Sequence, residues 1–392
     1  MMDQVKNYSD VIEFIKRLYP GKDFVPLHEP FFGGNESIYT NECIESTFVS
    51  SVGKFVDRFE AMIAEFTGAK YAVATVNGTA ALHIALKLAG VMPGDLVLTQ
   101  PITFIATCNA ISYCNAEPVF IDIDPVRLGM SPTALKVWLR ENTEVKQTAE
   151  GEKECLYRIS GRKISACVPM HTFGHPCEID RIVTICAEYG IKIVEDAAES
   201  IGSYYKGQHT GTFADLGILS FNGNKTITTG GGGMILTNNE KTGKLAKHIT
   251  TTAKIPHPWK FEHDMVGYNY RLPNINAALG CAQMEQLSAI LANKRDTAMQ
   301  YKEYLSTQDH ITFVDEPEFS ISNFWLNVIL LSDEKERDRF LEQTNGNGVM
   351  TRPAWIMMNK LRMFSHCLAG ELPIAEDIEG RLVNIPSSFR KG

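Results

Sequence analysis

The spacing of hydrophobic positions changes several times along the chain, and each change marks an element. Between residues 54 and 68 the apolar side chains Phe55, Phe59, Met62, Ile63 and Phe66 recur at helical intervals, which predicts a helix stopped by Gly68. Residues 71–76 read as a short buried strand, Asn77-Gly78 turns the chain, and 79–88 returns to a helix rich in small residues. The alternation continues with strands over 96–99, 118–123, 164–170, 191–195, 216–221 and 234–237, and helices over 104–113, 132–140 and 178–189. This pattern predicts an α/β fold with a mostly parallel central sheet covered on both faces. A charged stretch, 141–163, interrupts it and is expected to form a surface insertion with a hairpin. After Pro273 a long helical pattern runs to about residue 305; the apolar run 324–331 and the helix-like 333–343 then predict a smaller C-terminal α+β domain. The expected organisation is an N-terminal segment (1–53), a large α/β domain (54–270), and a long helix with the small domain (271–392).

Composition narrows the function classes. The chain has 392 residues, 44% of them hydrophobic and 21% charged, enough to bury a core without a metal or disulfide staple. The net charge is -8 and no dense basic run appears, which argues against a nucleic-acid partner. No apolar run is long enough for a membrane span. The opening residues, 1–6, lack the apolar stretch of a secretory leader, so the expected compartment is the cytoplasm. Nine cysteines stand scattered with no Cys-x-x-Cys pair, as buried small hydrophobes do. His171, His175 and Cys177 cluster in sequence without the spacing of a tetrahedral site, so no metal is expected.

Three segments could carry chemistry. Gly78-Thr79-Ala80 follows a strand and opens a helix, where free N–H groups and the dipole can hold an anion; a plain capping turn is the simpler reading of that segment alone. Glu195 and Asp196 end a buried strand, where open α/β sheets place their ligands, and small residues follow them. The third segment is Asn222-Gly223-Asn224-Lys225-Thr226, followed by Gly230 to Gly233. It is not a P-loop, because Asn224 and Leu219 occupy the two places where glycine is needed. The four glycines do not form the nicotinamide fingerprint either. A lone lysine between two strands is usually a surface lysine; flanked by Asn and Gly types rather than by charges, Lys225 can also be read as a partly desolvated amine suited to Schiff-base chemistry.

Taken in order, Gly78-Thr79-Ala80-Ala81-Leu82, Thr103-Phe104-Ile105-Ala106-Thr107, Glu195-Asp196-Ala197-Ala198-Glu199, Ser220-Phe221…Lys225 and Gly267-Tyr268-Asn269-Tyr270-Arg271 closely resemble the pyridoxal-phosphate sugar aminotransferases of the DegT/DnrJ/EryC1/StrS family. The resemblance implies the aspartate-aminotransferase type I fold, working as a homodimer with shared active sites. It implies that Lys225 carries the cofactor covalently and then moves the proton, and that Asp196 pairs with the pyridine nitrogen. Glu199 would lie near the ring hydroxyl and Phe104 would stack on the ring. The phosphate would take N–H groups of Gly78, Thr79 and Ala80, the Ser220 hydroxyl, and, from the second subunit, Asn269. Relatives with histidine at the lysine position are dehydratases; this chain keeps Lys225, so the resemblance implies an aminotransferase, with L-glutamate as the expected amino donor.

The string around Lys225 and the segments Glu29 to Glu36 and Val49 to Lys54 resemble the branch that makes bacillosamine and legionaminic-acid precursors, although Gly231 stands where a glutamate is usual. The implied substrate is a nucleotide-linked 2-acetamido-4-keto-6-deoxy hexose aminated at C4, its diphosphate met by local donors such as Arg271 or Lys254. The alternatives are a 3-keto-sugar aminotransferase of the same family and a non-catalytic regulator on the same fold.

Overall fold

The strands of the main sheet lie in the order Tyr71–Thr75, Gly233–Thr237, Leu216–Ser220, Lys192–Asp196, Ile164–Val168, Leu96–Thr99, Glu117–Phe120. All but one run the same way; Gly233–Thr237 is antiparallel to both of its neighbours. The computed structural model describes residues 7–391, and the segment 1–6, considered above as a possible leader, lies outside them.

Period-two alternation splits these strands between two layers. Ala72, Ala74, Leu219, Met234 and Leu236 face a core made with Phe55, Phe59 and Ile63 of the helix Lys54–Thr67 and with Ala277, Ala278 and Cys281 of the long helix Asn274–Leu305. Their sequence neighbours Val73, Ile218 and Ile235 face the helices Gly78–Leu88 and Ile105–Tyr113 on the other side. Local chemistry sets the helix ends. Gly68 leaves the first helix at φ 77°, a left-handed cap that glycine takes without a Cβ penalty. The Asn77 side chain accepts from Ala80 N–H at 2.8 Å to start the second. The charged insertion forms the expected hairpin, Thr143–Gln147 paired antiparallel with Lys153–Tyr157. All nine cysteines are free and eight of them are buried.

A second, antiparallel sheet takes the order Ile311–Phe313, Asn327–Leu331, Leu382–Ile385, Arg352–Pro353. Tyr8, Val11, Ile12, Ile15 and Leu18 of the N-terminal region pack against Tyr301, Leu305, Ile329 and Phe340 beside it. The apolar run 324–331 is only in part the strand expected. Phe324 takes φ 47°, and residues 324–326 form a loop before the strand begins at Asn327. Lys294 of the long helix, 1% exposed, holds this loop. Its ammonium donates to the carbonyls of Phe324 at 3.4 Å, Trp325 at 3.0 Å and Ser387 at 2.7 Å. No described helix is long and apolar enough to cross a membrane.

Candidate active site

The C-terminal ends of the parallel strands and the start of the helix Gly78–Leu88 meet at a cavity of about 320 Å³. Its lining includes Gly78, Thr79, Phe104, Thr107, Asp196, Glu199, Ser220 and Lys225 from the main-sheet region, and Trp325 and Trp355 from the C-terminal region. Ligands of open α/β sheets sit at such strand ends.

Asp196 closes its strand and is 2% exposed. One carboxylate oxygen accepts from Thr107 Oγ1 at 2.7 Å and the other from Ala198 N–H at 3.1 Å. Burial pushes its pKa up, opposed by these two hydrogen bonds and by the charges of Lys225 and His171. Its sequence neighbour Glu195 points to the opposite face of the strand. There Oε1 accepts from the N–H groups of Phe213 and Ala214 at 2.6 and 2.7 Å, and Oε2 from Gly211 N–H at 2.8 Å. His171 Nε2 lies 3.2 Å from that second oxygen. The period of two thus turns one acid into the cavity and uses the other to hold the turn before the next strand. His171 and Cys177, six residues apart in sequence, are drawn into this structural layer.

Lys225 lies in the loop between the strands Leu216–Ser220 and Gly233–Thr237, and no helix follows it, in agreement with the rejection of a P-loop. The residue is 9% exposed. Its Nζ lies 3.1 Å from Glu199 Oε1 and 4.0 Å from the centroid of the Trp325 ring. Glu199 is 2% exposed, and its second oxygen accepts from Phe173 N–H at 2.9 Å. Burial pushes the Glu199 carboxyl up to about 7, with Lys225 and the Phe173 N–H pulling in the other direction. Phe173 presents that N–H from the left-handed region, at φ 56°, a conformation costly for an aromatic residue and held here by complete burial.

The glycine positions shape the cavity wall. A Cβ at Gly78 would come within 2.9 Å of Ser220 Cβ and 3.1 Å of its Oγ, so the helix start and the Ser220 hydroxyl can converge only because the side chain is missing. A Cβ on Gly233 would lie 2.5 Å from the Asn77 carbonyl. The last glycine of the run thus lets its strand pack under the helix start. At that start the N–H groups of Gly78 and Thr79 precede any intrahelical acceptor, whereas Ala80 N–H is committed to Asn77 Oδ1. Ala80 does not line the cavity.

Phe104 caps the next helix and leaves its ring half exposed at the cavity, 6.1 Å from the Trp355 ring. Asn269 lies elsewhere in the chain; its side chain accepts from Arg271 Nε at 3.1 Å. Neither Arg271 nor Lys254 lines this cavity. Thr107, Trp325 and Trp355 belong to it without having been assigned a role from sequence. Thr107 sits one helical turn after Phe104, a spacing that could have placed its hydroxyl beside the strand ends. The tryptophans arrive from more than 90 residues away in the chain, and no local pattern announces them.

These residues fit pyridoxal phosphate. A buried amine lies beside a carboxylate, a second buried carboxylate faces the same space, and a helix start whose glycine leaves room at Ser220 can take a phosphate.

Comparison with known proteins agrees. The family model for the DegT/DnrJ/EryC1/StrS aminotransferase family matches residues 33–390. The chain is 34% identical to the GDP-perosamine synthase of Escherichia coli O157:H7, over 93% of each protein. It is 36% identical to the putative pyridoxal phosphate-dependent aminotransferase EpsN of Bacillus subtilis, over 92% of this chain and 90% of the relative. The solved structure of the aminotransferase TlmJ from Streptoalloteichus hindustanus superposes with a TM-score of 0.82 at 26% identity, covering 92% of this chain and 93% of that one. The fold is accordingly the aspartate-aminotransferase type I fold, and the chain belongs to the DegT/DnrJ/EryC1/StrS aminotransferase family, the pyridoxal-phosphate-dependent sugar aminotransferases.

Proposed function

We propose that the chain aminates a nucleotide-linked 4-keto-6-deoxy hexose at C4, with L-glutamate as donor, giving a 4-amino sugar for surface glycans of the legionaminic-acid or bacillosamine type. The observation that carries the reading is the meeting of Lys225, Glu199 and Asp196 in one cavity at a helix start. The names of the GDP-perosamine synthases, which describe a GDP-linked amino sugar, support a nucleotide sugar as the substrate class.

When bound, pyridoxal phosphate supplies an electron sink for the carbon that gains or loses the amine. Lys225 anchors it and moves the proton through Nζ, while Glu199 orients that amine from 3.1 Å. Asp196 holds a proton on the pyridine nitrogen by its charge, and Thr107 and Ala198 N–H fix its carboxylate. Phe104, at the cavity wall, would cover one face of the ring. The N–H groups of Gly78 and Thr79 and the Ser220 hydroxyl would hold its phosphate, while Ala80, its own N–H spent on Asn77, would add only the field of the helix end.

The active unit on this reading is a homodimer, with Asn269 completing the phosphate site of the second subunit. Supporting this, Asn269 stands outside its own chain's cavity, and Trp259, Phe261 and Val266 nearby are 77%, 84% and 84% exposed, an apolar surface that a second copy would cover.

The test offers the purified enzyme glutamate and keto sugars with the ketone at C3 or C4, with and without the 2-acetamido group. The expected product carries the new amine at C4. Turnover confined to 3-keto sugars, or to free keto acids, would overturn the substrate assignment.

A further inference from the structure

Asn323 stands in the loop that leads into the strand Asn327–Leu331, is 3% exposed, and does not line the cavity at Lys225. Its side-chain amide reaches three segments of the chain. Nδ2 donates to the carbonyls of Glu199 and Ile201, both at 2.9 Å, and to Thr226 Oγ1 at 3.3 Å. Oδ1 accepts from Trp325 N–H at 2.8 Å. The amide has one orientation only, since exchanging its ends would set an oxygen against two carbonyls and a nitrogen against an N–H. Two of the tied segments carry the charged pair of the cavity: Glu199 itself, and Thr226, the residue after Lys225. The third carries the indole that stands 4.0 Å from Lys225 Nζ and donates to the Asn224 carbonyl at 2.7 Å. Residues 323 and 325 thus grip the lysine's two chain neighbours.

A second route runs from the main chain of the same residue to the Glu199 carboxylate. Asn323 N–H donates to Ser203 Oγ at 3.0 Å, and that hydroxyl donates to the Gly174 carbonyl at 2.7 Å. Ser322 Oγ donates to the same carbonyl at 3.0 Å. Gly174 follows Phe173, whose N–H holds the second oxygen of Glu199. The approach is close: Gly174 takes φ 98°, and a Cβ on it would lie 2.0 Å from Asn323 Oδ1. Only glycine meets both demands. These bonds are buried and join residues far apart in the chain, so tertiary ties rather than local preference hold Glu199 and Lys225 at 3.1 Å.

We propose that Asn323 is a positioning residue of the aminotransferase: its amide sets the separation of the Lys225 amine and the Glu199 carboxylate by tying the backbone of one to the neighbour of the other. The proposal rests on the reading of Lys225 as the residue that carries the cofactor. A plain anchor of the loop would need one of these bonds; here a single amide spans both partners of the pair and the indole beside them. Asn323 touches no reacting atom. Its loss leaves the pocket in place but lets Nζ wander, and a misplacement of about 1 Å can slow a reaction by about 10²-fold.

The experiment follows single turnover of the cofactor-loaded enzyme with glutamate by the cofactor's absorbance, over a range of pH on either side of 7. Asn323→Ala should lower the rate constant at least about tenfold at unchanged amplitude, with the KM for glutamate and the affinity for pyridoxal phosphate within about threefold of wild type. The ionisation of Glu199 near pH 7 should move in the rate profile, because the amine that pulls it down is no longer held beside it. Asn323→Ser restores one donor and should recover part of the rate. Thr226→Val removes the lysine-side acceptor alone and should slow the step less, adding no further loss to Asn323→Ala. Should Asn323→Ala fail to fold, Asn323→Ser and Thr226→Val supply the same contrast. A wild-type rate constant with only a smaller amplitude or a lower thermal midpoint would make Asn323 an anchor of the loop and overturn the proposal, as would a loss confined to KM. Borohydride trapping that fails to place the cofactor on Lys225 in the wild type would instead bring down the cofactor reading, and the proposal with it.

Discussion

Lys225 and Lys294 are both buried lysines, and their surroundings differ in kind. Lys294 meets three backbone carbonyls, neutral acceptors from two separate segments, and does not line the cavity at Lys225. Lys225 meets one carboxylate and an indole face and lines the cavity. A lysine whose acceptors are saturated is a structural tie; one left under-coordinated beside a carboxylate keeps donors free for chemistry. The adjacent acids repeat the contrast, since Glu195 is filled by three N–H groups and His171 while Asp196 faces the cavity. Burial alone therefore does not mark the reactive group. The partners do.

The largest effect expected is on Lys225→Ala, which should lower single-turnover rates with glutamate by at least about 10³-fold while leaving the thermal midpoint nearly unchanged. Borohydride trapping with peptide mapping should put the cofactor on Lys225, and a label on Lys294 would reverse the comparison. Next, Asp196→Asn should slow the same half-reaction by about 10²–10³-fold at near-native stability. Glu195→Gln should do the opposite, leaving the rate within a few-fold and lowering stability in chemical denaturation by about 2 kcal/mol.

Lys294→Met leaves three carbonyls unpaired and should cost about 3 kcal/mol of stability. Burial pushes the Lys294 ammonium down to about 7 from 10.5, so the unfolded chain holds this proton over a pH range where the folded chain has released it. The wild type should therefore gain stability as pH rises from about 7 towards 10.5, and denaturant titrations of the Met variant should lack that slope.

Glu199 carries the opposite sign. Its folded pKa of about 7 lies above the ordinary 4.5, so its contribution favours the folded state at low pH and is lost as pH rises from 4.5 to 7. Glu199→Gln should remove an ionisation near pH 7 from the kcat/KM profile. The smallest effect belongs to Thr107→Val, a several-fold loss of rate as the hydrogen bond of 2.7 Å to Asp196 disappears.

The sheet and its helices were legible because most strands carry a short apolar run, as in Leu96–Thr99 and Ile164–Val168, and helices such as Lys54–Thr67 and Ile179–Tyr189 a periodic face. No element is expected before residue 54 from that alternation. Helices nevertheless form over Ser9–Leu18 and Glu36–Glu45. The first has a readable stripe in Val11, Ile12, Ile15 and Leu18; the second buries only Glu36 and Cys43, and no periodicity could reveal it. In the proposed site, Lys225 and Asp196 stood out by their sequence neighbours, whereas Glu199 entered only through the family resemblance. Trp325 was hidden inside a run that reads as strand, since the bend at Phe324 depends on Lys294, some 30 residues upstream. Partners fixed by tertiary contact leave no local trace.

The indole of Trp325 donates to the backbone carbonyl of Asn224, at 2.7 Å, immediately before Lys225. The acceptor is main chain, so this bond does not depend on which side chain stands at 224, whereas the donor belongs to the side chain at 325. Chimaeras that exchange the C-terminal third with a relative should thus depend on the incoming segment bringing its own donor to this carbonyl. The joint between the two halves is chemically asymmetric: one side is spelled in backbone, the other in a single side chain.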